Sequence, residues 1–354
     1  GGGDEGDVDG KTEVVIAPSP KHQLTITQPA ADGRIVTPHF STATDMLGED
    51  VGIEINAIPA ECKVLDHWQI VSGNGKIERI DRASTTFTMG TSDAVITALF
   101  KNAQPHVLTL ASLNGSIAVK NSNNVVLTSG ADVCEGSILD ITATPDANYA
   151  FSSWEVSGRD SKVSRTKFKH TTFTMGTENA TLTAKFVPVH SLNIISEHGT
   201  VTVTDVEGQT LSGNPLSIGA HATLDLAVTA SEGYRFKRWS VSGNGSNLSS
   251  SRSLSTTLTM GNADATLTAT FVATRTITVT LPSAEEGTIT VNGIPYTAPV
   301  VFGEGDVVEI VATPAAGKRF SGWSVTGAGS FGDSSATTTF IVGNTDATIT
   351  ATFE

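Results

Sequence analysis

The sequence predicts an all-β protein built from four small modules in tandem, and three observations predict it. The chain has four tryptophans, and they lie about 85 residues apart, the length of a small domain rather than of a solenoid coil. A phenylalanine follows each tryptophan at nearly constant spacing. Apolar and polar residues alternate with a period of two, and no stretch has a sustained apolar stripe of helical period. The repeated aromatic residues are Trp68, Trp154, Trp239, Trp323, Phe100, Phe186, Phe271 and Phe353.

The repeat divides the chain into an N-terminal segment and four modules. Residues 1–20 are acidic and glycine-rich, so they cannot bury much apolar surface and are predicted to form a disordered linker. Module 1 comprises residues 21–103 and is the most divergent copy. Modules 2, 3 and 4 comprise residues 104–188, 189–273 and 274–354. Each module is long enough for an independent domain with a modest core.

Each predicted module begins with a strand, continues with a second apolar run, and then turns. A histidine or arginine begins all four copies: His22, His106, His190 and Arg275. The second run ends in Ala-Thr-Pro or a variant of it, as at residues 143–145. A turn residue then stands six positions before each tryptophan: Cys62, Asn148, Gly233 and Gly317.

The tryptophan begins the next predicted strand, and two short strands around a turn close the module. The pattern Trp-x-Val-x-Gly is clearest at residues 154–158, 239–243 and 323–327. Within residues 180–186, apolar residues at the even positions alternate with threonine and lysine at the odd positions. This period predicts a sheet with one buried face and one solvated face.

Very short connectors predict that the modules form an elongated array. They comprise residues 101–105, 187–189 and 272–274; two contain proline, and none is rich in glycine and serine. Such connectors restrict the relative orientation of neighbouring domains. Size scaling gives a module diameter of roughly 30 Å and a total length of about 120–130 Å. The predicted fold is therefore a stalk of four tandem modules. Each module consists of antiparallel β-strands and is either β-sandwich-like or β-grasp-like.

Composition excludes some partners and says little about others. The formal net charge of −14 and the isoelectric point of about 4.9 lack a basic footprint, so no nucleic-acid partner is expected. No apolar run reaches about 18 residues, so no transmembrane segment is expected. Cys62 and Cys134 occupy non-equivalent positions of different modules. A disulfide between two separate modules is not expected, given the geometry that it requires.

One segment of module 4 resembles the divergent internalin B-repeat of bacterial surface proteins. The resemblance is carried by residues 305–323, which end at the tryptophan, and by residues 347–353. It extends from His22 to Phe353 and is weakest in module 1, where residues 37–45 are irregular and Cys62 replaces glycine. The resemblance implies extracellular modules used in adhesion or as spacers, with no catalytic residues. Internalin B-repeats proper resemble a β-grasp with a short helix, whereas this sequence shows no helix.

The N-terminal segment has two interpretations. It is either an expression remnant joined to a linker, or the start of a mature bacterial lipoprotein whose signal peptide and lipid-bearing cysteine have been removed. Its acidic residues resemble the surface-export signal of Bacteroidetes lipoproteins. The second interpretation is favoured because an array of this kind needs an anchor.

The tryptophans are interpreted as core residues rather than as stacking platforms for sugar rings. Each lies two residues before a valine or isoleucine on the same strand face, and a leucine or phenylalanine precedes it by three positions. Both features are typical of the hydrophobic interior. The four repeated phenylalanines are assigned to the same module cores.

Several motifs match a functional pattern only in part. Residues 327–332 match G-x-G-x-x-G but precede a predicted strand, so they are interpreted as a glycine-rich loop without a dinucleotide. Residues 5–10 begin like a calcium loop, but Ile16 stands where a glutamate is required and Glu13 comes too early. The histidines lack metal-ligand spacing, and no motif pairs a nucleophile with a base. No enzyme activity, metal or cofactor is predicted.

A basic cluster in module 2 contrasts with the acidic chain. It consists of Arg159, Lys162, Arg165, Lys167, Lys169 and His170. Arg165, Lys167 and Lys169 alternate, which predicts that they share one strand face. The cluster either protects an edge strand from pairing with another chain, or forms a patch that binds an acidic glycan or protein.

We interpret the chain as a non-catalytic bacterial surface protein, anchored to the outer membrane, that acts in adhesion or as a multivalent stalk. An unknown extracellular protein or glycan is the expected partner, and the chain is expected to be a monomer. The alternative is a carbohydrate-binding accessory lipoprotein of a glycan-uptake system. Glycan binding that is lost when a loop aromatic such as Phe331 is changed would favour it. A third interpretation, a non-catalytic part of an enzyme, requires a catalytic domain outside this chain.

Overall fold

The computed structural model describes residues 18–39 and 41–354. The prediction of disorder covers residues 1–20, of which residues 1–17 lie outside this part, as do the calcium-loop-like residues 5–10. The all-β prediction is confirmed: the described residues form 31 strands and one short 3-10 helix, Ala30–Asp32, and no α-helix.

The strands fall into four groups that follow the repeat. Module 1 contains β1 (Lys21–Ile26), β2 (Gly33–Val36), β3 (Thr44–Gly48), β4 (Gly52–Pro59), β5 (Lys63–Ser72), β6 (Gly75–Ile77), β7 (Ser84–Met89) and β8 (Ala94–Asn102). Module 2 contains β9 (Pro105–Ser112), β10 (Gly115–Lys120), β11 (Val126–Leu127), β12 (Ala131–Cys134), β13 (Ile138–Pro145), β14 (Tyr149–Ser157), β15 (Lys162–Val163), β16 (His170–Thr174) and the first half of β17 (Ala180–Ser196).

The other two modules repeat this order. Module 3 contains the second half of β17, β18 (Gly199–Thr204), β19 (Thr210–Leu211), β20 (Leu216–Gly219), β21 (Thr223–Ala230), β22 (Tyr234–Ser242), β23 (Asn247–Leu248), β24 (Ser255–Thr259) and the first half of β25 (Ala265–Thr280). Module 4 contains the second half of β25, β26 (Gly287–Val291), β27 (Ile294–Pro295), β28 (Val300–Gly303), β29 (Val307–Pro314), β30 (Phe320–Phe331) and β31 (Thr337–Phe353).

Each module is a sandwich of two small sheets around its own core. In module 2, one sheet has the order β12-β9-β17-β14 and the other the order β11-β10-β13-β16-β15. Most pairs are antiparallel, but the first strand, β9, pairs in parallel with the last, β17. The same parallel pairing joins the first and last strands of the other modules. In module 4, the long strands β30 and β31 take part in both sheets.

The four cores contain separate sets of residues, and the tryptophans lie in or against them. The relative exposures of Trp68, Trp154 and Trp239 are 1%, 3% and 1%. Trp323 is partly buried and packs against the module 4 core together with Phe320 and Phe331. Every indole N–H donates to a backbone carbonyl of the segment that follows its strand, at 2.7–2.9 Å. The carbonyls belong to Arg82, Phe168, Ser253 and Ser335.

The four repeated phenylalanines are partly buried against the cores, and each ring lies over a glycine. The glycines are Gly33, Gly115, Gly199 and Gly287. A Cβ atom at any of them would lie within 3.0 Å of an atom of the facing ring. Glycine is therefore needed at these positions because the aromatic ring occupies the space of a side chain.

An aspartate or asparagine closes each parallel pair. Its side-chain oxygen accepts a hydrogen bond from a backbone N–H near the start of the first strand, at 2.7–2.9 Å. The acceptors are Asp93, Asn179, Asp264 and Asp346. In module 2 the acceptor is the neutral amide oxygen of Asn179, so a charged carboxylate is not required for this hydrogen bond.

We expect Asp264→Ala to destabilise module 3 by about 1–2 kcal/mol, because the N–H of Ser191 loses its acceptor. Asp264→Asn, which copies module 2, should cost less than half as much. Hydrogen exchange at the amides of β17 and β25 measures both effects. Equal protection in the wild-type chain and the alanine variant would show that water replaces the carboxylate without cost.

Modules 2, 3 and 4 are joined by strands that pass through the predicted connectors. Residues 187–189 lie inside β17, and residues 272–274 lie inside β25. The interpretation of these residues as connectors is therefore wrong: each long strand is the last strand of one module and the first of the next. One continuous 13-stranded sheet consequently includes strands of all three modules.

The junction between modules 1 and 2 is built differently. Strand β8 ends at Asn102 and β9 begins at Pro105, and a disulfide joins Cys62 to Cys134 across the junction. The expectation of no disulfide between modules is therefore wrong. Cys62 directly precedes Lys63, which pairs with Asn102, while Cys134 pairs with Pro105. Cys62 therefore lies beside the last strand residue of module 1, and Cys134 lies beside the first strand residue of module 2. These two chain ends adjoin at the junction, which brings the non-equivalent cysteines together.

Candidate functional site

The basic cluster lies mainly on a turn, not on a strand. Lys162 is on the short edge strand β15, and His170 begins β16. Residues 164–169 between them form turns and bends. The prediction that Arg165, Lys167 and Lys169 share a strand face is therefore wrong. Protection of an edge strand is an explanation that applies to Lys162 only. We call residues 159–170 the basic segment.

The core tryptophan of module 2 accounts for this conformation. The backbone N–H of Trp154 donates to Thr166, and its indole N–H donates to the carbonyl of Phe168 at 2.7 Å. Because these carbonyls face the tryptophan, the basic segment cannot use them to extend the sheet. The guanidinium of Arg165 lies 4.8 Å from the centre of the Phe168 ring, a cation–π contact. The basic segment is thus held in a defined shape against the core.

Four of the six cations have no acidic partner within the described part of the chain. All six side chains are exposed. Arg159 lies 3.5 Å from Glu178, and His170 lies 3.8 Å from Asp140. The cations whose side-chain nitrogens have no carboxylate oxygen within 4.0 Å are Lys162, Arg165, Lys167 and Lys169. The basic segment therefore creates a local positive potential on an acidic molecule.

A cavity of about 460 Å³ lies where modules 2 and 3 meet, beside the basic segment. Its lining includes Tyr149 and Phe151 of module 2, together with Lys167 and Lys169. Module 3 contributes Glu207, whose carboxylate accepts a hydrogen bond from the backbone N–H of Lys169 at 2.6 Å. We call this space the module 2–3 cavity. Sequence reasoning missed it because its lining comes from separate segments of modules 2 and 3 that only the fold brings together.

The junction of modules 1 and 2 has a related but different cavity of about 360 Å³. Cys62, Lys63 and Glu135 are among its lining residues. The lysine of this cavity already has polar partners, since Lys63 Nζ lies 3.5 Å from Asp32 and 2.7 Å from the side-chain oxygen of Asn102. The module 2–3 cavity therefore differs from it in having two lysines, beside aromatic rings, whose side-chain nitrogens make no ion pair.

The repeated histidines make ion pairs or hydrogen bonds inside their modules. His22 contacts Glu49 at 2.9 Å and His106 contacts Glu135 at 2.8 Å. Arg275, the corresponding residue of module 4, contacts Glu304 at 3.0 Å. These contacts fasten the first strand to the turn beyond its partner strand. No group of three or more potential metal ligands is present in residues 18–39 and 41–354.

The perturbed pKa values have local causes. A hydrogen bond from Arg79 lowers the pKa of Asp81 and raises that of Arg79. The backbone N–H of Ser335 lowers the pKa of Asp333. These side chains are exposed and stabilise turns, so their shifts indicate turn structure rather than a catalytic group.

The glycine-rich segment of module 4 is not the loop that the sequence indicated. Residues 327–331 belong to β30, and Phe331 pairs with Phe340 of β31. The ring of Phe331 lies 6.1 Å from that of Trp323 at an angle of 21°. Phe331 is therefore a half-buried strand residue that partly covers the tryptophan.

The fold and these sites define a tandem-repeat protein of small all-β modules. The family model for the divergent InlB B-repeat domain matches residues 23–104, 115–190, 196–275 and 277–354. The chain belongs to this family, and the resemblance seen in the sequence is confirmed. No curated protein is significantly similar to the chain. No helix in the described ranges is long and apolar enough to span a bilayer.

Two crystal structures of the pilus adhesin SpaC from Lactobacillus rhamnosus GG are among the solved structures that match. The open conformation is 11% identical over 72% of this chain and 43% of the adhesin chain, with a TM-score of 0.17. A second form is 10% identical over 86% of this chain and 56% of the adhesin chain, with a TM-score of 0.19. The chain thus spans about half the length of the adhesin. TM-scores this low support no argument about function.

Proposed function

We propose that the chain is a non-catalytic bacterial surface protein that acts in adhesion as a stiff, multivalent stalk. The observation that carries the proposal is the continuity of β17 and β25 through two junctions, with a disulfide across the third. A junction formed by a continuous strand of a sheet cannot bend freely, so each module fixes the direction of the next. Contacts made by several modules would then combine through effective concentration.

The disulfide also supports a location outside the cytoplasm, because disulfides persist in oxidising compartments. A lipid anchor at the outer membrane and a monomeric array belong to the same proposal. Membership of the divergent InlB B-repeat family supports a surface location. An extracellular protein or glycan is the expected partner.

Small-angle scattering of the full chain tests the stalk. A compact body of this length has a radius of gyration of about 20 Å, whereas an extended row should exceed about 30 Å. A value near the compact one would contradict the proposal.

Adhesion is tested with beads that carry the full chain and flow over epithelial cells and extracellular matrix. Retention no better than that of albumin-coated beads on every surface would contradict an adhesive role.

One observation favours the alternative of a carbohydrate-binding accessory protein. Trp323 is the least buried of the four tryptophans and stacks against Phe331 in module 4. Partly exposed aromatic faces can bind sugar rings. Because Phe331 itself occupies one face of the indole, this site offers less aromatic surface than the sequence suggested, and adhesion is the better-supported proposal.

A further inference from the structure

We propose that the basic segment and the module 2–3 cavity together bind an acidic polysaccharide, whose sugars carry carboxylate or sulfate groups. The inference deepens the adhesive function and rests on it for its biological role. The geometry that carries it is the placement of Lys167 and Lys169 in the wall of a cavity that also contains Tyr149 and Phe151.

Charge identifies the ligand as anionic. The chain carries a net charge of −14, so a polyanion is repelled by most of its surface. The basic segment reverses this locally with four cations whose side-chain nitrogens pair with no carboxylate of the described residues, and they outnumber Asp205 and Glu207, the two carboxylates in the cavity wall. Long-range attraction of this kind guides a charged ligand to one part of a protein. A neutral glycan would gain nothing from it.

The cavity identifies the ligand as one with a ring to bury. Its volume of about 460 Å³ is within the usual range for small-ligand sites, which often lie between domains. Tyr149 and Phe151 offer apolar contact, while the adjacent lysines offer charge. An acidic sugar residue has both properties, an apolar ring face and an anionic group, and the neighbouring sugars of the same chain could reach Lys162 and Arg165.

The basic segment lacks what an acidic protein partner would require. Protein interfaces obtain most of their affinity from buried aromatic or apolar anchors. The one Phe, Tyr or Trp of this segment is Phe168, which is half-buried beside the Arg165 guanidinium. It offers charge without an exposed anchor. This favours a flexible polyanion over a folded acidic protein.

The site is also held in place before a ligand arrives. Trp154 binds the carbonyl of Phe168, and Glu207 of module 3 binds the backbone N–H of Lys169. Both contacts fix the backbone and leave the lysine side chains free. A site that needs little ordering loses less entropy on binding.

The test measures binding of the full chain to hyaluronate, dextran sulfate, neutral dextran and poly-glutamate by isothermal calorimetry. Hyaluronate and dextran sulfate separate carboxylate from sulfate recognition. We expect at least tenfold tighter binding of one acidic polysaccharide than of neutral dextran, with affinity falling as salt is added. Lys167→Gln combined with Lys169→Gln should weaken binding about tenfold, which corresponds to about 1.4 kcal/mol.

The matched control combines Lys120→Gln with Lys185→Gln, which removes the same charge from exposed positions of the same module. It should change affinity by less than twofold. Wild-type affinity in the Lys167/Lys169 variant, equal binding to neutral dextran, or binding to poly-glutamate alone would overturn the site. Bead adhesion that persists without polysaccharide binding would refute this site and leave the adhesive function standing. Polysaccharide binding without bead adhesion would support this site and contradict the adhesive function.

Discussion

Replacing Trp239 by alanine is expected to lower the unfolding free energy of module 3 by about 3–5 kcal/mol. The side chain is 1% exposed, its ring lies 5.2 Å from that of Phe236, and its indole N–H donates to Ser253 at 2.8 Å. The substitution removes the largest side chain of the core and leaves the Ser253 carbonyl without its donor. Hydrogen exchange resolved by peptide measures the loss in each module separately.

Two controls make this prediction specific. Trp239→Phe keeps much of the apolar volume but not the indole N–H, so it should cost clearly less than alanine. Trp323→Ala should also cost less, because that indole is partly exposed before the change. Since the cores are separate, protection in module 1 should be unaffected by Trp239→Ala. A uniform loss of protection along the whole chain would instead indicate one cooperative interior.

Removing the disulfide is expected to free module 1 from module 2 and to destabilise the pair. The Cys62→Ser and Cys134→Ser double variant opens a loop of 72 residues, and chain entropy predicts a loss of about 4 kcal/mol for a loop of this length. No continuous strand compensates, because β8 ends before β9 begins. The contact from the Asn123 amide to Glu61 remains across the junction, but an exposed hydrogen bond is a weak restraint.

Spin labels on exposed residues of modules 1 and 2 measure the freedom of this junction. Their distance distribution should broaden in the double variant and after reduction of the wild-type chain. Labels on modules 3 and 4 provide the control, since β25 continues through that junction and Arg235 pairs with Asp306 across it. An unchanged distribution between modules 1 and 2 would show that packing alone fixes their orientation.

The sequence predicted the features that repeat at short range. The alternation in residues 180–186 correctly identified the buried positions Ala180, Leu182 and Ala184. The spacing of the tryptophans located four modules because each core needs one large side chain. Such features depend on neighbours along one strand, and a single sequence contains them.

Features that depend on how modules meet were beyond the same reasoning. Pairing of Cys62 with Cys134 follows from the end of one module lying against the start of the next, which residue spacing does not reveal. The alternation of Arg165, Lys167 and Lys169 suggested a strand because nothing local shows that Trp154 binds the backbone of this segment. The glycines beneath the phenylalanine rings were missed for the same reason, since each pair is distant in sequence.

The parallel pairing of first and last strands determines how the array would respond to tension. In module 3, Leu192–Ser196 pair with Ala265–Ala269 in the same direction, so the chain enters the module at one end of this ladder and leaves at the other. Pulling the two ends apart therefore loads all of these hydrogen bonds in shear at once, instead of opening them one by one. A cell held by such modules in flowing liquid would transmit drag through these hydrogen bonds acting in parallel. The ladder of module 1 contains only Leu24–Ile26 paired with Ala94–Ile96, so this module would be expected to unfold first.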